Sequence, residues 1–333
     1  MQISFGDRAQ SLLLRQHSAS TKAEITRLTE EVTTGLTSEA AAHLSGDLGQ
    51  IDALDGALAR LKAFGAATSE LQLYAGAMQS GLTVIADLSE RAGAALLPAR
   101  ASASAAQVDA AAQTAAAGFE TLVATLNTRL GDRSLFAGTA TSATALSGAS
   151  AILTTLEGVV AGAATTDEIA ARVSDWFDDP AGFAATAYQG GPPPAEVPVA
   201  EGERLGLGVT AADPALRAAM KGLALGALLD RGLLTGQPEA RQSLAGLAGK
   251  GLLAAQDGLT GLASGLGATE ARIDQAASRN SAESAALEIG RTGLLGLDPY
   301  ETASRLQNAE KQMDLLYALT SRLSRLSLVE YLR

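Results

Sequence analysis

The sequence of 333 residues predicts a mainly α protein. Long N- and C-terminal helices are expected to pack as a coiled-coil or helical-bundle rod, with an inserted small β-rich (α+β) domain. Three observations carry this reading. Apolar residues recur at spacings of three and four at both ends of the chain, the period of a helix packing along one seam. Hydrophobic residues make up 47% of the chain but aromatics only 4%, and Gly counts 35, so the apolar content is small and aliphatic and suits helices packed closely side by side. From 139 to 212 the texture changes: Thr, Ser and Gly rise, and Gly190-Gly191-Pro192-Pro193-Pro194 breaks any regular element. The expected organisation is a first helical part over 1–138, an inserted acidic β-rich domain over 139–212 and a second helical part over 213–333.

The first helix carries its seam on Leu14, Ser18, Thr21, Ile25, Leu28 and Val32, with Lys22, Glu24, Arg27, Glu30 and Glu31 on the other faces. Gly35 supplies a stop. The seam is short and partly polar, so alone it is marginal and needs a partner helix. A second helix is expected over 47–97, marked by Leu54, Leu58, Leu61, Leu71, Leu82, Ile85 and Leu88 and ended or kinked by Pro98. A third, built on alanine, runs from about Ser104 to Leu130, with Gly131 closing it. Within the insert, Glu196-Val197-Pro198-Val199 and Leu205-Gly206-Leu207-Gly208-Val209 read as short strands, and Trp176 and Phe177 as its small core. The insert is acidic: seven carboxylates between 139 and 200 face the single Arg172, which suggests a solvated surface.

Helix resumes at Asp213-Pro214, where Asp caps and Pro is pre-organised for the first helical position. After Gly236-Gln237-Pro238 a helical stretch continues to about Ile289. Its glycines (Gly246, Gly249, Gly251, Gly258, Gly261, Gly265, Gly267) each cost an exposed helix about 1 kcal/mol against Ala, so it is either broken or compensated by close contacts. Asp298-Pro299-Tyr300-Glu301 is the clearest start signal, combining a cap, a first-position Pro and a Glu placed for a capping box. The last helix then carries Leu306, Ala309, Met313, Leu316, Leu319, Leu323 and Leu326 along one seam.

Composition excludes several chemistries. With 25 basic and 36 acidic residues the net charge is −11, which disfavours a nucleic-acid backbone as partner. Cysteine is absent, so no disulfide, thiolate zinc site or cysteine nucleophile is possible. His17 and His43 are the only histidines and neither has a companion ligand in sequence. Asp175, Asp178 and Asp179 lack calcium-loop spacing and read as a solvated turn before Pro180. Gly206-Leu207-Gly208-Val209-Thr210-Ala211 fits a loose dinucleotide pattern without the βαβ context that gives it meaning. No catalytic residue, cofactor or metal is expected, and the chain reads as a non-enzyme. The N-terminus shows no secretory signal pattern. The longest apolar tracts, such as residues 222–229, are of helix-core length, so membrane insertion is not expected.

What remains are the seams, and the candidate site residues are Leu14, Ile25, Leu28, Val32, Leu306, Met313, Leu316, Leu319, Leu323 and Leu326. Leucine stripes at helical spacing serve as plain core or as contacts with other subunits. The second use is favoured here because the helices are terminal and nothing else in the chain covers their outer apolar surface.

Four segments resemble the flagellin superfamily, and within it the hook-associated proteins of the hook–filament junction. They are Met1-Gln2-Ile3-Ser4 with the helix ending at Thr33-Thr34-Gly35; residues 126–139, above all Leu135-Phe136-Ala137-Gly138-Thr139; residues 201–223; and Ser321 to Leu332, with Leu326-Ser327-Leu328-Val329-Glu330-Tyr331-Leu332. After the Thr-Gly stop the chain departs from the family, with Leu36-Thr37-Ser38-Glu39 and Ala40-Ala41-Ala42-His43 in place of a basic, Asp-rich, Pro-containing stretch. The resemblance implies a structural protein that self-assembles into a ring joining hook to filament. It also implies contacts with another hook-associated protein and flagellin subunits, and a flagellar export chaperone. Its place would be the extracellular flagellum, reached by type III export without a cleaved signal peptide. A filament flagellin, or a cytoplasmic coiled-coil adaptor or chaperone, are the alternatives.

Overall fold

The computed structural model describes residues 5–99 and 104–331, with side chains described for these except 5–8, 10, 11 and 323–331. In chain order the helices are α1 (Phe5–Thr34), α2 (Ala40–His43), α3 (Gly49–Ala99) and α4 (Ala105–Leu126). The hairpin strands β1 (Arg129–Leu130) and β2 (Arg133–Ser134) follow, then α5 (Ala149–Val160), α6 (Thr166–Asp178) and α7 (Phe183–Thr186). A second hairpin, β3 (Val197–Ala200) with β4 (Glu203–Leu205), leads to α8 (Pro214–Asp230), α9 (Pro238–Leu295) and α10 (Pro299–Tyr331). Both hairpins are two-stranded and antiparallel. The protein is thus mainly α, with long helices and a small β part, as the sequence predicts. Two compact units form: Met1–Leu61 with Ala282–Arg333, and Lys62–Ser281.

The unit of residues 62–281 is organised around α8. Asp213 caps it, accepting from the Ala215 N–H at 3.0 Å, with Pro214 in the first position. Leu216, Ala219, Met220, Leu223, Ala224, Ala227 and Leu228 are fully buried, so apolar residues surround the helix rather than forming one stripe, as expected of a helix enclosed by neighbours. Small residues set the spacing. A Cβ on Gly226 would lie 2.4 Å from the Ala115 Cβ of α4, and one on Gly222 2.5 Å from Leu252 Cγ of α9. Of the two outcomes open for the glycine-rich segment, continuity holds: α9 is unbroken. Gly249 and Gly258 are compensated, approaching Leu97 and Ala215, whereas Gly251, Gly261, Gly265 and Gly267 have open space beside them.

The segment 139–212 belongs to this same unit and shares its hydrophobic core. It contains three helices that the texture of the sequence conceals. The start of α6 is fixed by Thr165, whose hydroxyl accepts from the Glu168 N–H at 3.2 Å, while the Glu168 carboxylate accepts from the Ala164 N–H at 2.8 Å. Ile169, Val173, Trp176 and Phe177 are buried. Trp176 meets Phe177 edge-on at 4.9 Å, and Phe183 joins them at 6.0 and 5.4 Å, so the aromatics do pack a local core. The acidic block is not wholly solvated. Asp178 pairs with Arg217 at 3.1 Å and Lys221 at 2.5 Å on α8, and Glu157 with Arg231 at 3.0 Å. Partial burial would raise the Asp178 pKa, but Lys221, Arg217 and the Ser174 hydroxyl outweigh it and hold the carboxyl below its ordinary value.

Two local expectations are corrected. The alanine-built helix ends at Leu126, not Leu130, because Arg129–Ser134 turns back as a hairpin with Gly131 at φ +59°. The second insert strand stops at Leu205. The Leu135–Thr139 segment is inner structure: Leu135, Phe136 and Ala137 are buried. Its backbone is tied by Gly191 N–H to Ala137 O, Thr139 N–H to Pro192 O and Ala211 N–H to Phe136 O, each at 2.9 Å. Gly138 sits at φ +59° where a Cβ would lie 2.4 Å from two carbonyl oxygens, so only glycine fits.

Candidate functional site

In the unit formed by the two chain ends, α1 and α10 pack against each other. They run antiparallel. Ser18 on α1 donates to the Met313 sulfur on α10 at 3.7 Å. At the far end Leu36 and Gly296 form an antiparallel bridge, flanked by Thr37 N–H to Leu295 O at 2.9 Å and Leu297 N–H to Gly35 O at 3.0 Å.

That splice follows from three local devices. Gly35, at φ +71°, reverses the chain after α1. Glu31, 3% exposed, then holds the return: its carboxylate accepts from the Ser38 N–H at 3.1 Å, the Ser38 hydroxyl at 2.9 Å and the Arg27 guanidinium at 3.1 Å. Burial alone would raise its pKa, but the Ser38 donors and Arg27 together hold it below the ordinary glutamate value. The third device is the α10 cap, where Asp298 accepts from the Tyr300 and Glu301 N–H groups at 2.8 and 3.0 Å. The Glu301 carboxylate accepts from Arg305 one turn on, at 2.6 Å.

The seam residues divide by environment. Leu28 and Met313 are buried at 1% and 7% exposure, along with Thr21 and Ala309. Leu14, Ile25, Leu306 and Leu316 are half-buried. Val32 and Leu319 stand exposed, at 41% and 49%. Leu323 and Leu326 lie outside the described side chains. Leu319 leaves the seam because two successive steps of three, Met313 to Leu316 to Leu319, rotate it toward the opposite side of the helix. There it joins Leu315, one turn before it and 64% exposed, a neighbour the seam reading passed over although i, i+4 spacing signals it.

This unit has little core of its own. Every member of the large hydrophobic cluster lies between Ala75 and Ala276. Yet eight of the twelve exposed large hydrophobics among the described residues belong to the terminal unit: Leu12, Leu13, Val32, Ile289, Tyr300, Leu315, Tyr317 and Leu319. Uncovered apolar surface of this kind can bury itself against further helices. His17 and His43 are exposed. Among the described residues no group of three His, Asp or Glu is placed to hold a metal ion, and no helix is long and apolar enough to cross a membrane.

Residues 252–332 match the bacterial flagellin C-terminal helical region. This supports a structural protein of the flagellin type. No curated protein matches the chain. A solved structure assigned to a flagellar hook-associated protein of Vibrio parahaemolyticus aligns with 74% of this chain and 96% of its own, at 12% identity and a TM-score of 0.49.

Proposed function

We propose that this chain is an extracellular structural subunit of the bacterial flagellum that forms the junction between hook and filament. The observation that carries the reading is the uncovered apolar surface of α1 and α10, of which α10 lies within the flagellin-type match over residues 252–332. Helices with so little core of their own gain order by packing against other copies, which couples folding to assembly. The subunit self-assembles into a ring by a repeated head-to-tail interface, meeting another hook-associated protein on one side and flagellin on the other. Export through the flagellar type III apparatus, with a chaperone covering the terminal helices and no signal peptide cleaved, suits a cysteine-free chain whose ends fold on arrival. The Leu326–Leu332 ending favours a junction subunit over the filament subunit.

The test is deletion of the chain in its own cell. Cells with complete hooks that secrete flagellin but carry no filament are the expected result. Normal filaments on the deletion strain, or many thousands of copies per appendage, would overturn the junction assignment.

A further inference from the structure

Within the unit of residues 62–281 lies a cleft of about 190 Å³ between α3, the β2 segment and the chain on either side of the β3–β4 hairpin. Its walls are apolar, chiefly Leu71, Tyr74, Met78, Leu135, Val197 and Leu207. Ser134 also lines it, 5% exposed, with a hydroxyl that has no hydrogen-bond partner. An unfilled apolar hollow beside an unsatisfied hydroxyl is poor core and a good receptacle. At its mouth Glu70 and Arg133 form an exposed ion pair at 2.5 Å, an arrangement that gives little by itself and is easily re-partnered.

The same unit carries a projection of matching size. Leu253 on α9 is 50% exposed. Removing one buried leucine from a well-packed protein leaves a hollow of roughly 150 Å³, so a single leucine suits this cleft. Lys250 and Asp257 flank Leu253 at one turn before and one turn after; both are exposed and neither has an ion-pair partner among the described residues. The Leu253 side chain lies 4.0 Å from the Cβ position of Gly93, while the cleft uses α3 from Ala67 to Met78. At 1.5 Å per residue the two features are about 20 to 40 Å apart along α3.

We infer that Leu253 of one copy seats in the Leu71/Tyr74/Leu207 cleft of the next copy. Lys250 then faces Glu70, and Asp257 faces Arg133. A projection and a receptacle at different levels of one molecule can meet twice across a two-fold axis or once per interface in a head-to-tail repeat. The head-to-tail repeat is the one that suits the assembly reading above, because it closes into rings or continues as open helices. The inference rests on the assembly reading above and adds the surface by which the second unit takes part.

Because the chain has no cysteine, introduced thiols report contacts without background. Full-length Leu253→Cys and Ala195→Cys chains, each a single variant, are mixed, added to purified flagellar hooks and oxidised mildly. The expected product is a disulfide-linked species at twice the 33.7 kDa chain mass, formed only by the mixture. Val84→Cys, at an exposed apolar position on α3 rather than α9, should not replace Leu253→Cys. Lys250→Glu should reduce incorporation, and adding Glu70→Lys should restore it. Incorporation without the linked species, equal linkage through Val84→Cys, or no rescue by the charge exchange would each overturn the contact while leaving the flagellar reading intact. If the wild-type chain never joins hooks, the flagellar reading fails and the contact falls with it.

Discussion

Ser18 and Met313, 295 residues apart in sequence, meet at 3.7 Å across the α1–α10 pair. This contact and the Leu36–Gly296 bridge define an antiparallel pairing in which the first and last long helices support each other. Conditions that weaken either end of that pairing should loosen both helices together.

The α10 cap offers a direct handle. Asp298 satisfies two N–H groups that the first helical turn would otherwise leave without partners. Asp298→Ala is expected to cost about 1 kcal/mol, and Asp298→Ser only part of that. Amide hydrogen exchange at Tyr300 and Glu301 checks it, with the largest acceleration expected in the alanine variant and a smaller one in the serine variant.

Much of the fold was legible because helix ends carry their chemistry locally. Asp213-Pro214, Asp298-Pro299 and Gly35 act as read from sequence, each through a side-chain acceptor or a positive φ at the position itself. The start of α6 was equally legible in Thr165 and Glu168, followed by Ile169, Val173, Trp176 and Phe177 at helical spacing, but surrounding Gly, Thr and Pro masked it. Other features were not legible because they depend on distant partners. Nothing near Glu31 announces that Ser38 will return to it, nor that the Gly35–Thr37 turn will bond to Leu295 and Leu297. At the candidate site the seams were visible as stripes. Which leucines face inward was not, since one extra step of three turns Leu319 outward.

Glu31 makes the α1–α10 splice sensitive to acid. Its folded-state pKa is lowered, so its contribution is complete above the unfolded glutamate value of about 4.3 and is lost as pH falls through the lower native value. The terminal unit should therefore unfold at lower urea concentration at pH 3 than at pH 6. Glu31→Gln should cost about 2 kcal/mol at neutral pH, through weakened bonds to Ser38 and Arg27, and should flatten that part of the pH dependence. A variant with the wild-type pH profile would assign the acid sensitivity elsewhere.

Glycines on the helices divide into two kinds that substitution should separate. Gly226→Ala places a methyl 2.4 Å from Ala115 and 3.3 Å from Leu96, and overpacking of that sort costs about 1–3 kcal/mol. Gly251→Ala meets nothing within 4 Å in the middle of α9 and should stabilise by about 0.5–1 kcal/mol. Thermal unfolding of the two variants should shift in opposite directions.

Leu315 and Leu319 separate stability from assembly. Both are about half exposed or more, on the side of α10 away from Met313, so replacing them by Asp removes little buried area within the chain. The isolated Leu315→Asp/Leu319→Asp protein should keep its unfolding free energy, measured in urea, within about 0.5 kcal/mol of wild type, the range of ordinary surface substitutions. Between subunits the same change would bury two carboxylates against apolar surface, which costs several kcal/mol unless they are paired. Incorporation onto hooks should therefore be lost while folding is retained. Met313→Asp should do the reverse in order of cause, unpacking the α1–α10 pair before any subunit is met. Sedimentation of hooks with bound chain, set beside urea unfolding of the free chain, distinguishes the two variants. Full incorporation of the Leu315/Leu319 double variant would remove this face of α10 from the assembly interface.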